Sequence, residues 1–278
     1  MALLTLASAK GSPGVTTTAM LVGALWPRDS LVVEADPSGG DVALRMPGVD
    51  GTPLDPGVGL SSLVAAGRKS LHHGLVGQHG QLMVGGQRVI AGVTSPEQAR
   101  GVTQWEALAE FFADLPGTDT IADLGRIGGS TPQNALLARS AACVLITDTL
   151  PSNVIHLRGR IARLQESFGR VSGPALHVAV VAEPKRTRAV REVGEAIEKA
   201  ELEVAGVHHV AHDRKGAAFF LGQITGSPTR TQLVRSAQPI VDALARSMPE
   251  PAPVPTDVTG EARDSATVGG TDVREEPE

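Results

Sequence analysis

The chain has 278 residues, a formal net charge of −5, 41% hydrophobic residues and 20% charged residues. These values are typical of a soluble globular protein with one large α/β domain or two small domains. No apolar run approaches the ~18 residues of a transmembrane helix, and the single cysteine, Cys143, excludes disulfides and cysteine-ligated metal centres within one chain. Residues 1–9 lack the basic start of a secretory signal, so we expect a cytoplasmic protein.

Acidic residues are concentrated at the carboxyl end of the chain. Residues 250–278 contain eight acidic and two basic residues, a net charge of −6, whereas residues 1–249 contain 22 acidic and 23 basic residues. The same segment is rich in proline and has almost no large apolar residues, so it cannot bury enough surface to offset its ordering entropy. We therefore predict a folded body over residues 1–248 and a disordered, acidic, proline-rich tail over residues 249–278.

Strand and helix patterns alternate along the folded body. Short apolar runs predict strands at Leu3–Ala7, Leu31–Glu34, Val89–Val93, Thr120–Leu124, Cys143–Thr147, Leu176–Ala182 and Val204–Val210. Helical patterns occur at Thr17–Trp26, Pro96–Asp114, Pro132–Arg139, Ser152–Phe168, Thr187–Ala200 and Arg230–Ser247, and the glycine-rich stretch Gly67–Gly86 is interpreted as a flexible insertion. Strands that are apolar on both faces and separated by helices predict a single, doubly wound α/β domain: a mostly parallel sheet with helices on both faces.

Ligands of such sheets bind at the carboxyl ends of the strands, so the stretches that follow the strands are examined for chemistry. The first strand is followed by Ala9-Lys10-Gly11-Ser12-Pro13-Gly14-Val15-Thr16-Thr17 and then by a helical run. Strand, glycine turn and helix form a phosphate-binding loop, where backbone N–H groups and the helix dipole face an anion. Compared with the usual pattern G-x-x-x-x-G-K-[ST], Ala9 replaces the first glycine and Val15 replaces the lysine.

Two further stretches follow later strands. The second strand leads into Glu34-Ala35-Asp36-Pro37-Ser38-Gly39-Gly40-Asp41, and the fourth into Ile121-Ala122-Asp123-Leu124-Gly125-Arg126-Ile127-Gly128-Gly129. The first could be an ordinary polar turn, and Asp123 could cap the following helix. A charged aspartate beside buried strand residues otherwise needs a partner, which a hydrated Mg²⁺ beside Thr16 would supply.

Together the three stretches resemble the ParA/MinD family of ATPases, whose deviant phosphate-binding loop reads K-G-x-x-G-K-T-T. The matching positions are Lys10, Gly11, Gly14, Thr16 and Thr17, whereas Val15 departs from the pattern, and Glu34 replaces an earlier aspartate of the family's first switch. The wording A-K-G-S-P-G-V-T-T-T and D-P-S-G-G-D is similar to an actinobacterial MinD-like subgroup, some of whose members are encoded beside pilus or secretion ATPases.

The resemblance implies a P-loop NTPase-like fold over residues 1–248 and a set of site residues. The nucleotide would be held by Lys10, Gly11, Ser12, Pro13, Gly14, Val15, Thr16 and Thr17. Two residues would be catalytic: Asp36, which orients the attacking water, and Lys10, which reaches across a dimer interface to the partner copy's nucleotide. Mg²⁺ would be held by Thr16 and, through water, by Asp123.

The resemblance also implies a function. It predicts a homodimeric, ATP- and Mg²⁺-dependent switch with a protein partner in cell positioning, DNA segregation or a pilus or secretion apparatus. Because Val15 offers only its backbone N–H, one preorganised charge is lost, at a cost of ~10²–10³ in rate, so hydrolysis should be weak or absent. The alternative is a pseudo-ATPase scaffold that keeps the fold and acts without nucleotide through protein contacts.

Surface groups leave further alternatives open. Two basic groups occur on predicted helices, Arg158, Arg160 and Arg163 on one and Lys185, Arg186, Arg188 and Arg191 on the other. ParA-like proteins hold DNA non-specifically with such residues, whereas the simpler interpretation is two solvated helix faces. A metal site at His208, His209, His212 and Asp213 is the less common interpretation of a histidine-rich strand end. The acidic tail does not match a basic amphipathic membrane anchor, so we expect no direct membrane anchor.

Overall fold

The computed structural model describes residues 2–11, 13–129, 131–169, 173–186 and 188–248. Ser12 of the predicted phosphate loop and the predicted tail, residues 249–278, lie outside these ranges. Within them the chain forms one sheet of eight strands. The strands are β1 (Leu3–Ser8), β2 (Ser30–Glu34), β3 (Gln81–Leu82), β4 (Arg88–Ile90), β5 (Asp119–Arg126), β6 (Ala142–Asp148), β7 (Ala175–Ala182) and β8 (Gly206–Ala211).

The strand order is β3-β4-β2-β5-β1-β6-β7-β8. Every neighbouring pair is parallel except β3 and β4, which are antiparallel at one edge. Strands β5 and β1 therefore lie in the centre, and their carboxyl ends emerge at the same edge of the sheet. The predicted doubly wound, mostly parallel α/β fold is confirmed, and β3 is an additional strand that the apolar pattern did not show.

Helices cover both faces of the sheet. They are α1 (Val15–Leu25), α2 (Val42–Arg45), α3 (Leu60–Gly67), α4 (Leu75–His79), α5 (Pro96–Arg100), α6 (Trp105–Ala113), α7 (Asn134–Arg139), α8 (Pro151–Phe168), α9 (Arg188–Glu198), α10 (Arg214–Phe220) and α11 (Gln232–Ser247). One buried apolar cluster lies between the sheet and helices α3 to α9. A second cluster lies between the opposite face and α1, α2, α10 and α11. Among the helices of the described residues, none has the length and apolar character needed to cross a bilayer.

Two element predictions are wrong. The single helix expected over Pro96–Asp114 is divided into α5 and α6, because α5 ends at Arg100 and is followed by Gly101, a residue type that costs ~1 kcal/mol in a helix interior. The stretch Gly67–Gly86, interpreted as a flexible insertion, contains α4 and β3, and Leu75 and Val76 of α4 are buried in the core. These two apolar side chains anchor the stretch, although its many glycines obscure the pattern.

A buried carboxylate ties the start of the chain to the central sheet. Asp119, the first residue of β5, is 5% exposed. Its Oδ1 accepts a hydrogen bond from the backbone N–H of Ala2 (2.9 Å), and its Oδ2 accepts from Trp26 Nε1 (2.9 Å) and Arg28 Nε (2.7 Å). One side chain thus joins the start of β1, the end of α1 and β5.

Replacing this carboxylate should destabilise the fold. Asp119→Ala leaves the Arg28 guanidinium and the Trp26 indole without their shared acceptor, so we expect a loss of about 3 kcal/mol in the free energy of unfolding. Urea denaturation followed by Trp fluorescence measures it. Asp114→Ala, at an exposed helix end, is the matched control and should change stability by less than ~0.5 kcal/mol. Equal effects of the two variants would contradict the role assigned to Asp119.

Candidate functional site

The loop between β1 and α1 forms an open anion-facing turn. Gly14 has a left-handed backbone, with φ 95°, which residues with a Cβ rarely adopt, and α1 begins at the next residue. Thr18 Oγ1 donates a hydrogen bond to the Gly14 carbonyl (2.7 Å), and Ser8 Oγ donates one to the Gly11 carbonyl (3.0 Å). The first turn of α1 has no acidic residue, and Gly14 offers no side chain to cap it. The positive end of the helix dipole is therefore left for an anion.

A cavity of about 440 Å³ opens in front of this helix end. Its loop wall includes Gly11, Gly14, Thr16 and Thr17, and its opposite wall includes Asp36, Gly125 and Arg126. The residues of the opposite wall follow β2 and lie at the end of β5. The three stretches that the sequence singles out therefore meet at one cavity, although the first and the third are more than 100 residues apart along the chain.

The two unusual positions of the loop differ in their placement. The side chain of Val15 is 6% exposed and packs in the apolar cluster beneath α1. Lys10 is exposed and is not among the residues that line the cavity. Neither position places a lysine ammonium in the cavity, so this wall depends on backbone N–H groups and on the hydroxyls of Thr16 and Thr17.

Asp36 and Gly125 are in direct contact on the same wall of the cavity. Oδ1 of Asp36 accepts a hydrogen bond from the backbone N–H of Ser38 (2.8 Å), which orients the carboxylate. A Cβ added to Gly125 would collide with Oδ2 of Asp36, and Gly125 has a positive φ of 58°. Only glycine fits there, and its small size lets the loop after β2 approach the end of β5.

Asp123 is the most deeply buried acid of the site. It is 0% exposed, and its Oδ1 accepts a hydrogen bond from the backbone N–H of Gly125 (2.8 Å). Its Oδ2 has no hydrogen-bond partner within the described part of the chain. The pKa of Asp123 is raised to about 6, chiefly by burial and to a smaller extent by the charge of Asp36. Hydrogen bonds from the Thr16 hydroxyl and the Gly125 N–H act in the opposite direction and lower this pKa.

This environment fits a cation better than a helix cap. The N-cap position of α7, the helix that follows, is Gln133, so Asp123 does not cap it. An orphaned carboxylate oxygen beside a threonine hydroxyl supplies the hard oxygen donors that Mg²⁺ prefers. Among the described residues no group of three His, Cys, Asp or Glu side chains could hold a metal alone, which agrees with Mg²⁺ sites that use one carboxylate, waters and phosphate oxygens.

Glu34 is a structural carboxylate behind the site. In the sequence it stands out only because it replaces an aspartate of the ParA/MinD family's first switch. It is 2% exposed, and its oxygens accept hydrogen bonds from the backbone N–H groups of Asp41 (3.0 Å), Val42 (3.3 Å) and Gly92 (2.9 Å). These bonds fix both ends of the loop that carries Asp36. The pKa of Glu34 is raised to about 7, chiefly by burial and to a smaller extent by the charge of Asp123. The hydrogen bond from the Gly92 N–H acts in the opposite direction and lowers this pKa.

A second cavity, of about 470 Å³, lies on the other side of the loop. It shares Gly14 and Thr17 with the first cavity and extends over the ends of β7 and β8. Pro13, the remaining loop residue, faces this second cavity. Sequence analysis did not find it, because its wall is built from ordinary residues such as Ala182 and Val210, and no motif marks them.

The residues weighed as metal ligands at the end of β8 have other partners. Asp213 accepts hydrogen bonds from the backbone N–H groups of Gly216 (3.0 Å) and Gln232 (2.9 Å), and therefore caps α10 and contacts the start of α11. His212 Nδ1 lies 3.3 Å from Oε1 of Glu183, and both side chains are exposed. His208 instead pairs with His177, Nε2 to Nδ1 at 3.1 Å.

The two basic groups are also less uniform than the sequence indicates. Arg160 is 8% exposed, and its Nη1 donates to the Gly128 carbonyl, so it is a buried anchor of the loop after β5. Arg188 and Arg191 form i,i+4 ion pairs with Glu192 and Glu195, each with a nitrogen–oxygen distance of 3.5 Å. The exposed, unpaired positive charge available to DNA phosphates is correspondingly smaller.

Comparison with known proteins shows the fold. No protein-family model matches the chain, and neither does any curated protein. A ParA family ATPase from Chlorobium tepidum has a TM-score of 0.65 at 16% identity, covering 86% of this chain and 98% of that chain. The septum site-determining protein MinD of Pyrococcus horikoshii, complexed with Mg-ADP, has a TM-score of 0.63 at 17% identity, with 90% and 99% covered.

An enzyme of a different kind shares the same architecture. The cobyrinic acid a,c-diamide synthase of Mycobacterium smegmatis, with a bound ATP analog and magnesium, has a TM-score of 0.60 at 17% identity, covering 88% of this chain and 94% of that chain. The chain therefore has the fold of ParA and MinD ATPases. At these identities the likeness establishes the fold and leaves the activity to be argued from the site.

The raised pKa of Glu34 predicts a pH-dependent stability. A carboxyl with a folded-state pKa of about 7, above the ordinary glutamate pKa of 4.5, favours folding most below pH ~4.5, and this contribution is lost as pH rises through ~7. Between pH 4.5 and 8, we expect Glu34→Gln to remove about 2–3 kcal/mol of this pH dependence from the free energy of unfolding.

Urea denaturation of both proteins across this pH range measures the difference. Subtracting the two profiles removes the contributions of other groups, such as His177. Glu110→Gln, at an exposed position of α6, is the control and should keep the wild-type profile. If Glu34→Gln and wild type have parallel profiles, Glu34 does not titrate in the folded protein as described.

Proposed function

We propose that this chain is a ParA/MinD-like protein that binds ATP with Mg²⁺ and acts as a dimeric switch with weak or absent hydrolysis. The observation that carries the proposal is the meeting of the α1 amino terminus, Thr16 and Asp36 at one cavity, with the buried Asp123 carboxylate beside the Thr16 hydroxyl. An ordinary turn after β2 and a helix-capping aspartate would have no reason to converge there. The shared fold with nucleotide-bound MinD and synthase structures supports the same conclusion.

The loop residues have a defined task in this proposal. The backbone N–H groups at the start of α1 would bind phosphate oxygens, with the helix dipole favouring the anion. Residues 10–17 would surround the phosphates, and Thr17, which lines both cavities, would lie between phosphate and nucleoside. The second cavity, over the ends of β7 and β8, has the size and position for the base and sugar.

Thr16 and Asp123 would hold the metal. The orphaned Oδ2 of Asp123 would accept a hydrogen bond from a water of a hydrated Mg²⁺, and the Thr16 hydroxyl would bind the ion directly. When bound, Mg²⁺ would neutralise phosphate charge and stabilise the ionised form of Asp123. This accounts for a buried carboxylate that the protein alone leaves half satisfied.

Asp36 and Lys10 would supply the remaining functions. Asp36, held by Ser38 and facing the cavity, would orient the attacking water. Lys10, exposed and outside the cavity of its own chain, would reach the nucleotide of a second copy. Because the side chain of Val15 is in the core, each site lacks one charge in cis, and hydrolysis should be slower by ~10²–10³ than with a lysine there.

The biological setting is proposed more broadly. The chain would be a cytoplasmic protein similar to the actinobacterial MinD-like subgroup. A protein partner in cell positioning, DNA segregation or a pilus or secretion apparatus would bind one of its nucleotide states. Non-specific DNA binding has less support, because Arg160 is buried and Arg188 and Arg191 are paired. The burial of Val15 favours the alternative, a nucleotide-independent scaffold, and experiment separates the two.

Calorimetric titration with ATP and ADP, with and without Mg²⁺, tests nucleotide binding. We expect binding that depends on Mg²⁺ and is weakened at least about tenfold in Asp123→Ala, because that variant removes the carboxylate facing the metal. Asp242→Ala, at an exposed position of α11, should bind as wild type does. Absence of heat in the wild type at millimolar nucleotide would leave the scaffold as the function.

Lys10→Ala tests the dimeric switch. If Lys10 contacts the nucleotide of the second copy, ATP should produce a dimer of wild type and of the exposed-site control Lys69→Ala, but only a monomer of Lys10→Ala. Size-exclusion chromatography with light scattering, with ATP and Mg²⁺ in the buffer, measures the masses. An ATP-dependent dimer of Lys10→Ala would show that this lysine is not needed across the interface.

A further inference from the structure

The phosphate cavity lacks the lysine that its fold usually provides. Val15 has its side chain in the core, and Lys10 does not line the cavity. The helix dipole contributes the equivalent of only about half a positive charge. A nucleoside triphosphate, with several negative charges, would therefore need a further cation from elsewhere in the chain.

Arg126 is placed to be that cation. It is the last residue of β5, and its Cα pairs in parallel register with Ser8, the last residue before the loop. The backbone N–H of Ile127, the next residue, donates to the Ser8 carbonyl (3.0 Å), which fixes the strand end against the loop. The Arg126 side chain is exposed, lines the cavity opposite Thr16 and Thr17, and has no carboxylate partner among the described residues.

The second guanidinium of the cavity is already engaged. Arg45 forms an i,i+4 ion pair with Asp41, so much of its charge is neutralised. The guanidinium of Arg160 lies near Arg126, while the Asp36 carboxylate shares the cavity wall with Arg126. Burial and the nearby charges of Arg163 and Arg126 lower the pKa of Arg160. An anion beside Arg126 would relieve the repulsion between these guanidiniums.

The two cavities determine which phosphate Arg126 would meet. They join at Gly14 and Thr17, and the nucleoside fits the larger one over β7 and β8. A phosphate chain that starts there and passes the α1 amino terminus ends at the wall formed by Asp36, Gly125 and Arg126. In this orientation the terminal phosphate of a triphosphate would face this wall, and a diphosphate, which is one phosphate shorter, would extend less far towards it.

We infer that Arg126 binds the terminal phosphate of a nucleoside triphosphate and supplies within the same chain the positive charge that position 15 lacks. The inference rests on the proposed nucleotide-binding function and adds a binding residue to it. It makes Arg126 a residue by which the site distinguishes triphosphate from diphosphate, three residues after Asp123 in the chain.

Calorimetric titration of the full chain with Mg·ATP and Mg·ADP tests it. Arg126→Gln should weaken ATP binding by about 10- to 100-fold, the range for a lost hydrogen bond to a charged group, and leave ADP binding within about twofold. Arg126→Lys should lose less ATP affinity than Arg126→Gln, because an ammonium keeps the positive charge, although it lacks the paired contacts of a guanidinium. Arg139→Gln, at an exposed position of α7 outside both cavities, is the matched control and should bind both nucleotides as wild type does.

If Arg126→Gln binds ATP as wild type does, or loses ATP and ADP affinity equally, Arg126 does not select the terminal phosphate, and the proposed function remains. If the wild type binds neither nucleotide, the proposed function fails and this inference with it.

Discussion

The parallel pairing of β5 with β1 on one side and β2 on the other is the constraint on which the site depends. Asp123 lies in register with Leu6 of β1 and with Glu34 of β2, so the carboxyl ends of all three strands emerge side by side. The phosphate loop, the loop with Asp36 and the segment with Gly125 are consequently neighbours. Because all three strands are buried on both faces, their register cannot slip without exposing apolar side chains.

The same arrangement brings together charges that the protein does not balance by itself. Glu34 and Asp123 are buried side by side, and the charge of Asp123 adds to the burial that raises the pKa of Glu34. Glu34 is satisfied by three backbone N–H groups, whereas Asp123 keeps one oxygen unpaired. The first carboxylate therefore shapes the loop, and the second has an oxygen without a partner among the described residues, the feature on which the proposed Mg²⁺ site rests.

The fold limits the possible activities without selecting one. ParA, MinD and a diamide synthase share this architecture, so the choice depends on which side chains face the cavity. Here the unusual features are local: an apolar residue at position 15 that packs inward, and a guanidinium at the end of β5 that faces the phosphate loop. If the positive side chain of the site lies at the end of β5 and not in the loop, the protein would still bind nucleotide. Its affinity for a triphosphate relative to a diphosphate would then depend on Arg126.

The sequence alone determined the α/β class, the alternation of strands and helices and the three stretches of the site, because apolar runs and glycine turns are local patterns. It missed the helices α2, α3, α4 and α10 and the strand β3, and it merged α5 with α6. In α4 the buried Leu75 and Val76 side chains outweigh the many glycines, and a single glycine, Gly101, divides α5 from α6. Tertiary structure alone decided the surroundings of Glu34, Arg160 and Arg126. Burial, strand register and the direction in which a side chain points arise from contacts between distant segments, and no local pattern contains them.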